Sequence, residues 1–267
     1  TCIMIDYALI AFFTMASNMK IKERWLDKLL CSDADELLER EGATADGIAI
    51  IDELNSAYQR TGLTERIVST IVSESRRIHA ISGSPIRILE IGMRDGGFLC
   101  EISKVAKPER IPLDLHGVEF RADLTTLASE RVSLEGLPIH THYDASRTLD
   151  SFASRDFDIV YSVFVMHHQS QDELNQLLSA SFRVSRNAVY HLDLTRSFSA
   201  LALIWSFYTM FRYRASRQDA VLSCRRAYRP NEIVALMNDL HVGRGAIIKR
   251  IFPMYWSLYQ SYEGDAA

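Results

Sequence analysis

The segment Arg87-Ile-Leu-Glu-Ile-Gly-Met-Arg-Asp-Gly-Gly-Phe-Leu limits the possible folds more than any other stretch of the 267-residue chain. A buried strand that breaks into glycines and restarts as a helix is the βα turn of a doubly wound parallel sheet, and ligands bind beyond such strand ends. Gly92 lets the backbone turn tightly, and Gly96 and Gly97 are expected to leave room for a ligand to approach the main chain. The helix that follows offers free N–H groups and the positive end of its dipole. A tight βα turn with no ligand is the alternative reading of the same glycines.

The flanking pattern extends this unit. From Ser84 and Pro85 onward, short apolar runs alternate with helical ones, the order of stacked βαβ units. The predicted strands are Ile86–Ile91, Leu113–Phe120, Ile139–Tyr143, Phe157–Phe164 and Ala188–Leu192. Between them Phe98–Val105, Ala122–Leu134, Leu149–Ala153 and Gln171–Val184 carry mostly helical spacing. After Leu194 the spacing predicts one long apolar-aromatic helix over Ser197–Tyr213, a basic loop through Arg226, a helix over Glu232–Leu240 capped by Asn231, and a terminal hairpin of Ala246–Phe252 and Met254–Tyr259.

Ahead of the sheet, residues 20–83 read as a helical cap. Ser32 and Asp33 stand as N-cap, Asp35 and Glu36 as an acidic first turn, and Gly42 and Gly47 close that helix. Residues 1–19 are an extension of uncertain status, with Met15 or Met19 as the alternative start. The expected domain is therefore 84–267, with an inserted helical lid at 197–228.

Composition excludes several classes. The chain is 48% apolar and 24% charged, which rules out disorder and low complexity. A net charge of −4 gives no global field to gather nucleic acid, and none is expected as a partner. Cys2, Cys31, Cys100 and Cys224 form no CxxC pair, so neither a disulfide framework nor a zinc ribbon is indicated and a cytoplasmic location follows. The apolar runs Ile3–Met15 and Phe198–Phe211 fall short of the ~18–20 residues that a spanning helix needs. A peripheral membrane contact through the second run is the remaining lipid reading. No metal is expected: His140 and His142 share a strand face, but no third ligand is apparent.

The second strand ends at Val118-Glu119-Phe120, with Glu119 standing 23 residues after Gly96. That is close to the ~20-residue interval at which an acid reaches ribose hydroxyls in such folds. With this, residues 86–194 resemble a class I S-adenosylmethionine-dependent methyltransferase, similar to ubiquinone-biosynthesis-type enzymes and small-molecule O-methyltransferases. Leu89-Glu-Ile-Gly-Met-Arg-Asp-Gly resembles the first motif and Gly117-Val-Glu-Phe-Arg-Ala-Asp-Leu the second. Tyr143-Asp-Ala resembles the adenine motif, and Phe157-Asp-Ile-Val-Tyr-Ser-Val-Phe-Val-Met-His-His the fourth. Asp219-Ala-Val-Leu-Ser-Cys-Arg-Arg-Ala-Tyr-Arg-Pro-Asn-Glu resembles a segment of secondary-metabolite relatives.

The resemblance implies a three-layer αβα sandwich with a mostly parallel seven-stranded sheet and an antiparallel last strand. It puts Glu90, Gly92, Arg94 and Gly96 around the methionine and ribose of the cofactor, and Glu119 with Phe120 at the ribose hydroxyls. Asp144 and Ala145 fall at the adenine, and Ser162 and Val163 beneath the methyl group. The family pattern carries glycine where this chain has Arg94, whose guanidinium either crowds the methionine end or pairs with its carboxylate.

Methyl transfer from a sulfonium asks mainly for alignment and water exclusion, with a general base where the acceptor is a hydroxyl. His168 after the fourth strand and His191 in the fifth are the candidate catalytic residues; the alternatives are a packed side chain for His167 and a satisfied core histidine for His191. Alternation sets His191 and Asp193 on one face. His167, Trp205, Tyr208, Asp219, Arg226 and Tyr228 are the candidate substrate contacts, against core packing for the aromatic side chains and a solvated loop for the charges. The expected function is methyl transfer to a small hydrophobic or aromatic acceptor, most simply at oxygen. A nicotinamide-dependent oxidoreductase is disfavoured because the strict GxGxxG is missing. A non-catalytic relative with Arg94 blocking the cofactor is the third reading.

Overall fold

The computed structural model describes residues 31–32, 34, 36–206, 213–251 and 254–262. The chain divides into two compact units, Thr1–Asp33 and Ala34–Ala267, and every element named below lies in the second. Tyr208 and the extension 1–19 lie outside the described residues.

The helices are α1 (Leu37–Glu41), α2 (Ala45–Arg60), α3 (Leu63–Ser82), α4 (Gly97–Glu109), α5 (Ala122–Leu134), α6 (Gln171–Val184), α7 (Phe198–Ser206), α8 (Arg214–Arg226) and α9 (Pro230–Asp239). The strands are β1 (Ile86–Ile91), β2 (Leu113–Glu119), β3 (Ile139–Tyr143), β4 (Phe157–Val163), β5 (Ser185–Leu194), β6 (Ile247–Ile251) and β7 (Tyr255–Ser261). They form one seven-stranded sheet in the order β3-β2-β1-β4-β5-β7-β6. β1 to β5 pair in parallel, while β7 runs antiparallel to both β5 and β6.

Near-continuous apolar character in β1 and β4 follows from burial on both faces, as parallel sheets require. One face packs Ile88, Leu115, Ile159 and Val163 against Ile67 and Ile71 of α3 and Leu99 and Ile102 of α4. The other packs Leu89, Ile91 and Val160 against Leu174, Leu177 and Leu178 of α6 and Ile233 of α9. α3 is therefore a layer of the sandwich, placed there by an apolar stripe at Leu63, Ile67, Ile71 and Ile78.

Several expected boundaries move. The N-cap of α1 is Glu36, and Gly42 ends that helix at φ +58°. Gly47 belongs instead to the first turn of α2, capped by Thr44, because the chain crosses itself there: a Cβ on Gly47 would lie 1.8 Å from the Gly42 carbonyl oxygen. Leu149–Ala153 forms turns rather than a helix, tied by Arg183 Nη2 to the Thr148 and Leu149 carbonyls. The expected basic loop is the helix α8, which buries Ser216, Asp219, Ser223 and Cys224 on one side. Helix α9 starts at Pro230, whose missing N–H costs nothing at a first helical position. Cys100 and Cys224 are buried and form no disulfide. No helix among the described residues is long and apolar enough to cross a membrane.

Candidate active site

The site lies at the carboxyl ends of β1, β2, β4 and β5. At the β1–α4 turn Gly92, Arg94 and Gly96 all have positive φ, at +71°, +53° and +73°. Gly92 is needed twice over, since a Cβ would also meet Val165 Cγ2 at 2.5 Å. Gly96 and Gly97 do not open onto a ligand space as expected. A Cβ on Gly96 would meet Ala128 and Val132 of α5 at 3.7 Å, and one on Gly97 would meet Arg131 and Asp95 at 3.4 Å. Gly96 is there for its left-handed N-cap conformation.

Glu119 faces this turn. Its Oε2 accepts from the Arg94 backbone N–H at 2.9 Å, and its Oε1 from those of Phe120 at 2.7 Å and Arg121 at 3.3 Å. Burial nevertheless pushes its pKa above the usual carboxylate value. Glu90, two residues before Gly92 in β1, accepts from Tyr161 Oη at 2.9 Å, and burial raises its pKa to about 8.

Arg94 turns its guanidinium toward α2. Its Nη2 donates to Asn55 Oδ1 at 2.6 Å, and the group sits 5.8 Å over the Tyr58 ring. Asp95 bridges the same region, accepting from Asn55 Nδ2 at 2.8 Å and pairing with Arg131. Burial opposes its charge, but Arg94 and Arg131 together hold its carboxyl below the usual range. Asn55 and Tyr58 were not singled out in the sequence, because an α2 residue reveals nothing of a contact 39 positions away.

Asp144 follows β3, and its carboxylate closes its own loop by accepting from the backbone N–H groups of Ser146 at 2.8 Å and Leu149 at 3.0 Å. Ala145 is exposed beside it. Phe120 carries the Arg147 guanidinium 5.1 Å over its ring. Val163 belongs to the core face under α3 and α4. Ser162 points to the opposite side, where its hydroxyl meets His191 Nδ1 at 2.7 Å.

That contact corrects the reading of His191. Its ring is fully buried, its second nitrogen lies 3.2 Å from Ser181 Oγ of α6, and burial drives its pKa down to about 3. A neutral imidazole with both nitrogens occupied is a core group, and its placement next to Asp193 in the pleat does not pair the two. Asp193 instead holds the 3-10 turn Met166–His168 after β4. It accepts from the Met166 backbone N–H at 2.6 Å and stands 2.6 Å from His167 Nδ1.

The histidine pair is the centre of a larger cluster. His167 Nε2 lies 3.6 Å from Glu36 Oε1, and His168 Nδ1 lies 2.6 Å from Glu39 Oε1. Arg226 of α8 donates to Glu39 Oε2 at 2.5 Å and to the His168 carbonyl at 2.9 Å. Asp219 accepts from the Leu38 backbone N–H at 3.0 Å. Tyr228 Oη donates to the Gln169 carbonyl at 2.9 Å. Trp205 is exposed on α7. Burial raises the Glu36 pKa to about 7. Glu39 is also desolvated, but His168 and Arg226 lower its pKa to about 2. Glu36 was read only as part of an acidic first turn, an ordinary helix-dipole partner, and nothing in the linear pattern singled out Glu39.

His140 and His142 do have further donors nearby. On β2, His116 Nδ1 stands 3.0 Å from His142 Nε2, and Asp114 Oδ1 lies 3.0 Å from His116 Nε2 and 3.7 Å from His140 Nε2. Parallel register pairs His116 with His140, which linear spacing could not show.

Residues 88–188 match a sequence family described as a methyltransferase domain. No curated protein matches the chain in sequence. Among solved structures, the plantazolicin methyltransferase BpumL in complex with SAH is 15% identical, with a TM-score of 0.57 over 91% of this chain and 97% of its own. The plantazolicin methyltransferase BamL, in complex with a triazolic desmethylPZN analog and SAH, is 12% identical, with a TM-score of 0.58 over 79% and 74%. The CMeT domain of the citrinin polyketide synthase is 12% identical, with a TM-score of 0.59 over 84% of this chain and 59% of that one. At such identities the likeness speaks for the fold, and the sequence match speaks for the chemistry of the βα turn and its neighbouring strands. Together they show a methyltransferase domain over residues 88–188, set on a Rossmann-like fold with a seven-stranded sheet.

Proposed function

We propose that the enzyme methylates a hydroxyl oxygen of a small hydrophobic or aromatic acceptor. S-adenosylmethionine supplies an electrophilic methyl group on a sulfonium, which needs no acid to leave. In this reading Glu119 receives the ribose hydroxyls, beside the Gly92 and Gly96 turn and the Phe120 ring, and Asp144 with Ala145 borders the adenine. Glu90 and Arg94 border the methionine end, where the guanidinium is available to the amino-acid carboxylate.

The observation that carries the acceptor side is the Asp193–His167 contact of 2.6 Å next to His168 at the end of β4. Val165, which packs on Gly92, joins that turn to the cofactor strand, so the imidazoles stand beside the expected methyl position. His168, a quarter exposed, is the group that meets the acceptor proton, and His167 is oriented by Asp193. Glu39 of α1 and Arg226 of α8 fix the ring of His168, and we assign these two helices as covers of the site. Trp205 and Tyr228, on either side of α8 in sequence, supply apolar surface, which supports an aromatic acceptor over a highly charged one.

The test is transfer of a radiolabelled methyl group to an extract of the source cell, with mass spectrometry and proton NMR of the labelled product. A methoxy resonance on a small molecule is expected. Label confined to nitrogen or carbon would contradict the oxygen assignment.

A further inference from the structure

We infer that Glu36, His167 and His168 bind a divalent transition-metal cation at the acceptor end of the site. The donor atoms Glu36 Oε1, His167 Nε2 and His168 Nδ1 all lie within 4.8 Å of one another. Glu36 Oε1 stands 3.6 Å from His167 Nε2 and 3.8 Å from His168 Nδ1. Both spacings are too long for hydrogen bonds. They are near the edge of roughly 3.4 Å that separates two donors on one tetrahedral ion with bonds of about 2.1 Å.

Glu36 Oε1 is also buried and without a hydrogen-bond partner, on a residue only 3% exposed. A buried carboxylate oxygen aimed at two imidazoles and bonded to neither calls for a cation between them. The support behind the donors is that of a metal site. Asp193 Oδ1, at 2.6 Å, takes the Nδ1 proton of His167 and so leaves the Nε2 lone pair facing Glu36. His168 exchanges its 2.6 Å contact with Glu39 for the metal, and Glu39 keeps its bond to Arg226. The carboxylates of Glu36, Glu39, Asp193 and Asp219 gather here, with the Arg226 guanidinium on Glu39. Two imidazoles and a carboxylate suit zinc, iron(II), cobalt or manganese better than magnesium or calcium. Insofar as it concerns the acceptor, the inference rests on the methyl-transfer reading: with the ion bound, its open coordination positions would take the acceptor hydroxyl and favour its ionised form, in place of proton removal by His168.

The experiment uses the full chain after chelator treatment and dialysis. Cobalt(II) and zinc(II) are titrated by absorption and calorimetry, and S-adenosylhomocysteine is titrated into the same samples. One ion per chain is expected, with visible cobalt bands of a four- or five-coordinate site and at least 100-fold weaker binding in Glu36→Gln. His167→Gln is the second ligand variant, with thermal melts to show that each variant folds. No cobalt band in folded wild type that binds S-adenosylhomocysteine overturns the metal and leaves the methyl-transfer reading standing. Failure of both ligands removes both. Binding that survives Glu36→Gln and His167→Gln but is lost in His140→Ala overturns it as well, by moving the ion to the Asp114, His116 and His140 cluster on β2 and β3.

Discussion

Replacing Glu119 with glutamine separates the two duties given to this carboxylate. In the structure it accepts three backbone N–H groups, two on Oε1 and one on Oε2. A glutamine whose carbonyl takes the Oε1 position keeps the bonds from Phe120 and Arg121. Its amide then faces the Arg94 N–H donor to donor, in a place where Glu119 is only 6% exposed. One lost bond to a charged acceptor, plus a buried donor left unmatched, costs about 1–3 kcal/mol of stability. The effect on the cofactor is larger in proportion, because an amide cannot accept from both ribose hydroxyls while also serving the turn. Each hydrogen bond to a charged acceptor contributes about 1.5–3 kcal/mol. Binding of S-adenosylhomocysteine should therefore weaken by about 10- to 100-fold, at roughly 1.4 kcal/mol per decade. Calorimetry with thermal melts on the same protein reads both numbers. A folded variant that binds within threefold of wild type would refute the ribose assignment.

Gly92→Ala combines a left-handed backbone at φ +71° with a 2.5 Å approach to Val165, and should cost about 2–4 kcal/mol in denaturant unfolding. Gly96→Ala meets no atom closer than 3.7 Å and should cost about 1–2 kcal/mol, so equal losses would show that the crowding at Gly92 is unimportant. The Glu90 pKa rises from 4.5 to about 8 on folding, so its contribution is fully present below 4.5 and is lost as pH rises through 8. Glu90→Gln should accordingly flatten the melting profile between pH 5 and 9; an unchanged slope would contradict a buried neutral carboxyl. His191 has the opposite sign. Its pKa falls from 6.5 to about 3, so its stability is present above 6.5 and fades as pH drops toward 3. His191→Ala should lower the melting temperature while leaving the turnover of the folded fraction within a few fold; a loss of 100-fold or more would restore a catalytic role.

The strands were legible because burial on both faces writes them as apolar runs. Predicted and observed limits coincide for β1 and β3 and differ by one residue at the end of β2 and β4. The cofactor turn was legible because few residues other than glycine adopt positive φ readily. Arg94 does so at +53° and could not have been foreseen there. Helix α8 was missed because Arg-Ala-Ser-Arg-Gln-Asp-Ala-Val has a short apolar stripe under a polar majority. Of the helix predicted over Ser197–Tyr213, the described part is α7, residues 207–212 lie outside the described residues, and α8 begins at Arg214. The acceptor cluster was half legible. The paired histidines stand together in the sequence, but Glu36, Glu39, Asp193 and Arg226 reach them from elements up to 187 positions apart. Such contacts are set by packing of helices on the strand ends, which periodicity does not encode.

A crystal structure of the chain with S-adenosylhomocysteine tests the central assignment most directly. The account predicts the ribose hydroxyls within hydrogen-bond distance of the Glu119 carboxylate and the sulfur on the side of the turn nearest His168. A nucleoside seated elsewhere, with the carboxylate still closed on its three backbone donors, would contradict it.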